Sequence, residues 1–356
     1  MARKIVFYTH ALLAGGAEKV MARLASGFAA RGDDVIFAVD FDAPAWRPLL
    51  RGSVRYVVLP RGHLRATLAL AALLRREKPD ASVSAVSVSN LKHAVAALLA
   101  RRARWAALGY HGFAESEREV LSRIGYAATP LLSRLVGATV AVSQALGDKL
   151  LREHRAAPAR LVVIPNPAAP EPFPAPVSAV DLTRRPPGIV AVGRLVSGKD
   201  FATLLRAFAR VTTPGATLTI LGEGPERAAL ESLRDRLGLA ERVAMPGFAA
   251  QIADMLNASR CAVVSSRKES FGLSIVEALS LGLPVVSTDC GGPSEILDAP
   301  GLGALVPVGD DAAMATALDA ALNDLGDPAA RQKRAADFTI RRALDAYGAL
   351  FDRLSA

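Results

Sequence analysis

The chain has 356 residues, 51% of them hydrophobic, 5% aromatic and 22% charged, which is enough for two ordinary domains, each with its own core. Two cysteines, Cys261 and Cys290, exclude a disulfide framework and point to a reducing cytoplasm, and the apolar runs are too short and too broken by charge to span a bilayer. The formal charge of +9 is lopsided: Met1 to Pro176 holds 24 Lys and Arg against 13 Asp and Glu, a net +11, and the remainder 19 against 21, a net −2.

From Met1 the chain runs straight into a strand-like segment, Ile5 to Tyr8, with no leader pattern. Further β-branched runs follow at Val35 to Val39, Tyr56 to Leu59, Ala81 to Val88, Trp105 to Leu108, Ala138 to Val142 and Leu161 to Ile164, separated by helical stretches. After the proline-rich run Pro165 to Pro187 the alternation resumes at Ile189 to Val192, Leu218 to Leu221, Arg242 to Met245, Cys261 to Ser265, Pro284 to Ser287 and Ala304 to Val308. Strands alternating with helices specify an α/β fold of parallel sheets covered on both faces. The pattern therefore predicts two Rossmann-like domains, at 1–170 and 188–335, joined by a linker at 171–187 without helical period. A terminal helix is predicted within 336–356.

Several positions carry candidate chemistry. Gly15 and Gly16, between the first strand and the helix Ala17 to Ala30, allow a phosphate to approach a helix N-terminus, although such a turn is more often plain loop geometry. No GxGxxG is present, which removes the main support for a nicotinamide enzyme. Arg194 and Lys199, five residues apart at a strand's carboxyl end, suit two phosphates and equally suit a solvated surface. Glu269 in a loop and Glu277 in the helix after it flank a small-residue helix start, Phe271-Gly272-Leu273, that suits a phosphate beside sugar hydroxyls; taken alone, both acids equally suit solvent. His111 and, more weakly, His10 follow strands where open α/β sheets gather ligands. Asp40-Phe41-Asp42 is a formal DxD, read as solvated loop acids, so no metal is expected.

The stretch Glu269-Ser270-Phe271-Gly272-Leu273-Ser274-Ile275-Val276-Glu277, with Gly282-Leu283-Pro284-Val285-Val286 and Gly291-Gly292-Pro293-Ser294-Glu295, resembles the retaining glycosyltransferases of family four, which have the GT-B fold. Gly15-Gly16-Ala17-Glu18, Val163-Ile164-Pro165-Asn166-Pro167, Val192-Gly193-Arg194-Leu195 with Lys199-Asp200, and Leu221-Gly222-Glu223-Gly224-Pro225 extend the likeness over nearly the whole chain, in order. The resemblance implies two domains facing across a cleft, the terminal helix crossing back to the first. It implies a nucleoside-diphosphate sugar donor, with UDP expected first and GDP-mannose second, and no cofactor. Arg194 and Lys199 would clamp the leaving diphosphate, Glu277 bind ribose and Glu269 the sugar, with the backbone of Phe271, Gly272 and Leu273 in support. Gly15 and Gly16 would approach the diphosphate with Glu18 behind them, and His111 would touch the transferred sugar. The acceptor hydroxyl would attack the face the diphosphate leaves, giving its proton to that phosphate, with domain closure about the linker. A glycan or a polyprenyl-diphosphate-linked glycan of the cell surface is the implied acceptor.

Basic clusters at Arg61, Arg65, Arg75, Arg76, Lys78 and Arg101, Arg102, Arg104, around apolar helical runs, suit an anionic membrane surface and equally an Arg-rich solvated one. No base-stacking or recognition-helix pattern supports nucleic acid. The expected placement is cytoplasmic, peripheral on the inner face of the membrane. Two other readings are a nucleotide-sugar epimerase, for which the paired-Glu motif is not the pattern, and a non-catalytic sugar-nucleotide binder, against which Arg194, Lys199, Glu269 and Glu277 are all present.

Overall fold

The computed structural model describes residues 2–13, 15–113, 120–249 and 252–356. The chain divides into unit 1, Met1–Pro167 with Ile340–Ala356, and unit 2, Ala168–Thr339.

In unit 1 the described residues form one parallel sheet of seven strands: β1 (Lys4–Thr9), β2 (Asp34–Val39), β3 (Arg55–Val58), β4 (Ala81–Ala85), β5 (Ala106–Tyr110), β6 (Ala138–Ala141) and β7 (Leu161–Val163). Their order across the sheet is β3-β2-β1-β4-β5-β6-β7, with Phe7 of β1 in register with Phe37 of β2. Central strands are buried along almost their whole length because helices cover both faces, so they read as continuous apolar runs. The helix α1 (Gly16–Ala30) buries Val20, Met21, Leu24, Ala25 and Phe28, a stripe at three- and four-residue spacing. Phe28 meets Phe7 at 6.1 Å on one side and Phe351 at 5.3 Å on the other. Phe351 belongs to the terminal helix Ile340–Ser355, which lies close enough to α1 that a side chain on Gly27 would sit 2.6 Å from Leu344. Its register is pinned by Arg3, which pairs with Asp33 at 3.1 Å and Asp352 at 3.0 Å.

Unit 2 contains β8 (Gly188–Val192), β9 (Thr217–Leu221), β10 (Val243–Gly247), β11 (Cys261–Val264), β12 (Val285–Thr288) and β13 (Gly303–Val306), ordered β10-β9-β8-β11-β12-β13, again all parallel. Its core joins Leu204, Phe208, Leu218, Ile220, Val263 and Met314.

The strand pattern matches the sequence reading with two differences. The run expected to be a strand through Val88 stops at Ala85. Val86 turns at φ 76, and a second kind of segment begins, the helix α3 (Ser87–Leu99), which follows α2 (His63–Glu77). Alternating Ser and Val imitate a strand there, but the helix is buried around most of its girth, so it lacks the polar face that would have revealed its period. The proline-rich run also differs from a helix-free linker. Ser178 and Asp181 form a capping box that starts a short helix, Ala179–Thr183. The backbone on either side of Pro176 is bound to unit 2 by the Gln332 amide, which donates to Ala175 O at 2.8 Å and accepts from Val177 N–H at 3.0 Å.

Candidate active site

In unit 2 the charged side chains predicted to matter lie on loops after the carboxyl ends of β8 and β11, the edge where open parallel sheets bind ligands. After β8 the chain passes exposed Arg194 and makes a single 3-10 turn, Ser197–Lys199. Asp200 then adopts φ 48 and caps the helix Phe201–Arg210, one carboxylate oxygen accepting from Thr203 N–H at 3.4 Å and the other from Arg267 Nε at 3.0 Å. Ser265, just past β11, donates its hydroxyl to Lys199 O at 2.8 Å and ties the turn to the next loop. Held this way, the Lys199 ammonium donates to Glu269 Oε2.

Glu269 is fixed through its backbone. Its N–H donates to Cys290 O at 3.2 Å and its carbonyl accepts from Gly292 N–H at 2.7 Å, a one-residue parallel bridge to Gly291. Gly291, at φ 120, and Gly272, at φ 108, adopt conformations that favour glycine, and any side chain on Gly292 would collide with the Phe271 backbone. Phe271 is buried and packs edge-on against Phe338 at 5.5 Å, so the loop has an apolar anchor. The helix Leu273–Ser280 starts at Gly272, which has no side chain to cap it. Its first-turn N–H groups and dipole are therefore presented at the loop that carries Glu269. Glu277 lies half-buried one turn further along. The neighbouring Cys290 thiol is pushed up to about 11, by burial first, with the Thr288 hydrogen bond opposing and the Glu269 charge adding; it stays protonated and is a poor nucleophile.

Lys199 and Glu269 are thus brought into contact with each other, while Arg194 stays exposed and makes no ion pair among the described residues.

In unit 1, Trp46 Nε1 donates to Gly15 O at 2.9 Å, fixing the turn before α1. Glu18 lies in the first turn of α1, behind the two glycines as the sequence placed it, and its carboxylate reaches back to Gly15, where a Cβ would collide with it. An acid in the first turn satisfies the helix dipole, so a phosphate approaches this helix start only once Glu18 moves. His111 follows β5 with both ring nitrogens shielded from solvent. Burial pushes it down to about 4, opposed by a hydrogen bond to the Asn166 side chain, and the ring is neutral at pH 7.

The acids of the DxD pattern are not both solvated. Asp42 binds Arg47 at 2.6 Å and the Tyr56 hydroxyl at 3.0 Å near the surface, but Asp40 is buried, 4% exposed, against His10, Tyr8 and Lys92. Sequence reasoning missed this cluster. His10 and Asp40 had been singled out separately, and the further signal was a lysine, Lys92, inside an apolar helical run. Among the described residues no group of three or more His, Cys, Asp or Glu side chains is placed to hold a metal.

Two family descriptions match successive parts of the chain: Glycosyltransferase Family 4 over residues 14–171 and Glycosyl transferases group 1 over residues 180–338. The chain belongs to the family 4 glycosyltransferases. Among curated relatives of this family 4 glycosyltransferase, the lipopolysaccharide core biosynthesis glycosyltransferases LpsD and LpsE of Rhizobium meliloti are 35% identical over 173 residues and 36% over 138. These matches cover 46% and 39% of this chain and 49% and 40% of the relatives, so they span half of each relative or less. Among solved structures, HepE of Anabaena in complex with UDP and glucose aligns with a TM-score of 0.77 at 21% identity, covering 99% of this chain and 95% of that one. A glycosyltransferase of Rickettsia africae aligns at 0.80 and 17%, covering 99% and 98%. At these identities the likeness is one of fold, and the fold is GT-B.

Proposed function

We propose that this protein transfers a sugar from a nucleoside-diphosphate sugar, UDP-linked first and GDP-mannose second, to a hydroxyl of a glycan or polyprenyl-diphosphate-linked glycan, with retention of anomeric configuration. The observation that carries the reading is the contact of Lys199 with Glu269 beside the bare start of the helix Leu273–Ser280. It sets a cation for phosphate, a carboxylate for sugar hydroxyls and free backbone donors at one loop. The names of the relatives, in lipopolysaccharide core synthesis, and the UDP and glucose in HepE support it.

In the proposed course the bond from the anomeric carbon to the diphosphate oxygen breaks while the acceptor oxygen bonds to the same face of that carbon. The acceptor's proton passes to the departing phosphate. Arg194 and Lys199 stabilise the charge that develops there. The donor competes with Glu269 for the Lys199 ammonium, and Glu269, once released, accepts from the sugar's hydroxyls. Glu277 takes the ribose, and the N–H groups of Phe271, Gly272 and Leu273 support the sugar and phosphates. Gly15 and Gly16 belong to the diphosphate and neutral His111 to the transferred sugar. With two side-chain cations for the leaving group, the step needs no metal, and transfer persists in EDTA.

The proposed setting is a peripheral one. Leu64 and Leu68 of α2 are 72% and 51% exposed, and helical spacing places them with Arg65, Arg75 and Arg76 on one outward face suited to anionic lipid. No described helix is long and apolar enough to cross a membrane.

Thermal unfolding measured across a panel of nucleotide sugars tests the reading, since a ligand of the folded state raises the midpoint. One UDP- or GDP-sugar is expected to do so, and NMR of the product is then expected to show the donor's anomeric configuration. A panel without effect, or an inverted product, overturns it.

A further inference from the structure

Two helices of unit 2 start at the loop that carries Glu269: Leu273–Ser280 at Gly272, and Gly292–Ile296 at Gly291. The far end of a helix leaves carbonyls without a partner inside it, and here the side chains of one short segment take them. On the helix Pro328–Ala335, the Gln332 amide donates to Ser280 O at 3.0 Å and Arg331 to Gly282 O at 3.1 Å, while Arg334 donates to Glu295 O at 2.6 Å and Ile296 O at 3.1 Å. Arg331 is buried, which is costly for a guanidinium unless its donors are met, and it meets the carbonyls of Gly301 and Leu325 as well. This helix is therefore a brace that holds both donor-site helices by their far ends.

The brace runs into a single turn, Ala336–Phe338, and there the chain leaves unit 2. Phe338 stands edge-on to Phe271 at 5.5 Å, with the Arg334 guanidinium 5.0 Å from its ring centre. Arg334 is held in turn by Asp298 and Asp337, each at 2.9 Å. Phe271 carries this support to the site through its backbone: it lies so close to Gly292 that no side chain fits there, and Gly292 N–H donates to Glu269 O at 2.7 Å. Phe338 also has a partner on its other side. The chain passes between the units twice, after Pro167 and after Thr339, and Ala169 N–H donates to Phe338 O at 3.1 Å. Each of these two residues is the second of unit 2 counted from a passage. One hydrogen bond thus joins both passages, and its acceptor belongs to the residue whose ring supports the loop of Glu269.

We propose that Phe338, set by Arg334, is a positioning residue of that loop and links its occupancy to the two passages of the chain between the units. This rests on the donor reading given above. The opening that breaks the Ala169–Phe338 bond moves the Phe338 ring off Phe271 and loosens the loop. A nucleotide that binds only the ordered loop then suppresses that opening by mass action. In this way a ligand at Lys199 and Glu269 stiffens the passages without touching them.

The test is amide hydrogen exchange of the full chain, read by NMR, free and with saturating UDP or GDP. In the parent protein the nucleotide that binds is expected to slow exchange about tenfold or more at both Gly292 N–H and Ala169 N–H. The Ala313 N–H, which caps a helix outside this network, is expected to change much less. Two variants break the link: Phe338→Leu, which keeps apolar volume without the ring, and Arg334→Met, which removes the guanidinium. Both are expected to keep the protection at Gly292, to lose it at Ala169, and to weaken the nucleotide about threefold to tenfold. Protection at Gly292 with none at Ala169 in the parent overturns the link and spares the donor reading. Equal protection at all three amides, or protection at Ala169 that both variants keep, assigns the effect to global stability and overturns the link as well. If neither nucleotide binds, the donor reading fails, and the free protein decides the positioning role. There both variants are expected to speed exchange at Gly292 while Ala313 keeps its rate, and unchanged exchange at Gly292 overturns that role.

Discussion

Lys199 and Glu269 hold each other in the structure, so on the proposed reading the diphosphate of a donor has to outcompete a carboxylate for the ammonium. Two charged oxygens of a diphosphate can do this, and the exchange frees Glu269 at the moment a sugar arrives. If the two cations act on charge that develops in the transition state, Arg194→Ala and Lys199→Ala should each lower kcat by about a hundredfold, the scale for loss of one preorganised electrostatic donor. Circular dichroism should be unchanged. Turnover near that of the parent protein in both variants removes the leaving-group role. At this scale the local structure was legible where the candidate residues sit in a contiguous motif: Glu269, Gly272 and Glu277 lie within nine residues, and local rules of helix starts apply to them. Asp40 and Lys92 are 52 residues apart, and only the sheet order brings β2 and α3 onto neighbouring paths around β1.

At the scale of elements, the boundary between β4 and α3 shows what periodicity cannot see. A helix buried on nearly all sides carries no polar stripe, and its polar groups turn inward to each other. His93 of α3 is fully buried, bonded through Nδ1 to the Ser84 hydroxyl at 2.9 Å and through Nε2 to the Ser82 hydroxyl at 2.8 Å. Burial pushes it down to about 3 from an ordinary 6.5. The unfolded chain therefore takes up a proton near pH 6.5 that the folded chain refuses until about pH 3. Stability contributed by neutral His93 is complete above pH 6.5 and falls as the pH drops through that window. His111, pushed down to about 4, adds to the effect in the same direction. Unfolding free energies from urea titrations between pH 7 and pH 5 should fall, with a slope of up to about 1.4 kcal/mol per pH unit for each histidine. A flat profile over that range contradicts the buried neutral assignment, and His93→Asn should flatten the slope of the parent protein.

At the scale of the whole molecule, the two-sheet plan was readable because thirteen strand-like runs recur at regular intervals, and parallel sheets make such runs apolar throughout. The boundary was less readable. Prolines suggested a free linker, yet the segment from Ala168 onward belongs to unit 2, where Gln332 bonds the backbone at Ala175 and Val177 and Ala169 N–H donates to Phe338 O at 3.1 Å. The charge asymmetry also needs refinement. Arg102 lies over Trp105 at 3.8 Å and donates to Pro79 O, so part of the basic excess serves unit 1 itself. For the proposed peripheral setting, the exposed face of α2 is the better candidate surface. Co-sedimentation with vesicles should rise with anionic lipid and fall with salt, and the triple change Leu64→Ser, Leu68→Ser, Arg65→Glu should reduce it while nucleotide binding persists. Equal binding to neutral and anionic vesicles contradicts that placement.

The central claim is that the nucleotide end of the donor is held by unit 2, at the loop joining Glu269 to the helix Leu273–Ser280. Calorimetric titration of UDP, and then GDP, into the full chain tests it most directly. One of the two should bind with one-to-one stoichiometry, weaken about tenfold or more in Lys199→Ala and in Glu277→Ala, and be unaffected in His10→Phe. Failure of both nucleotides to bind, or binding that survives the two unit 2 substitutions and is lost in His10→Phe, contradicts the account.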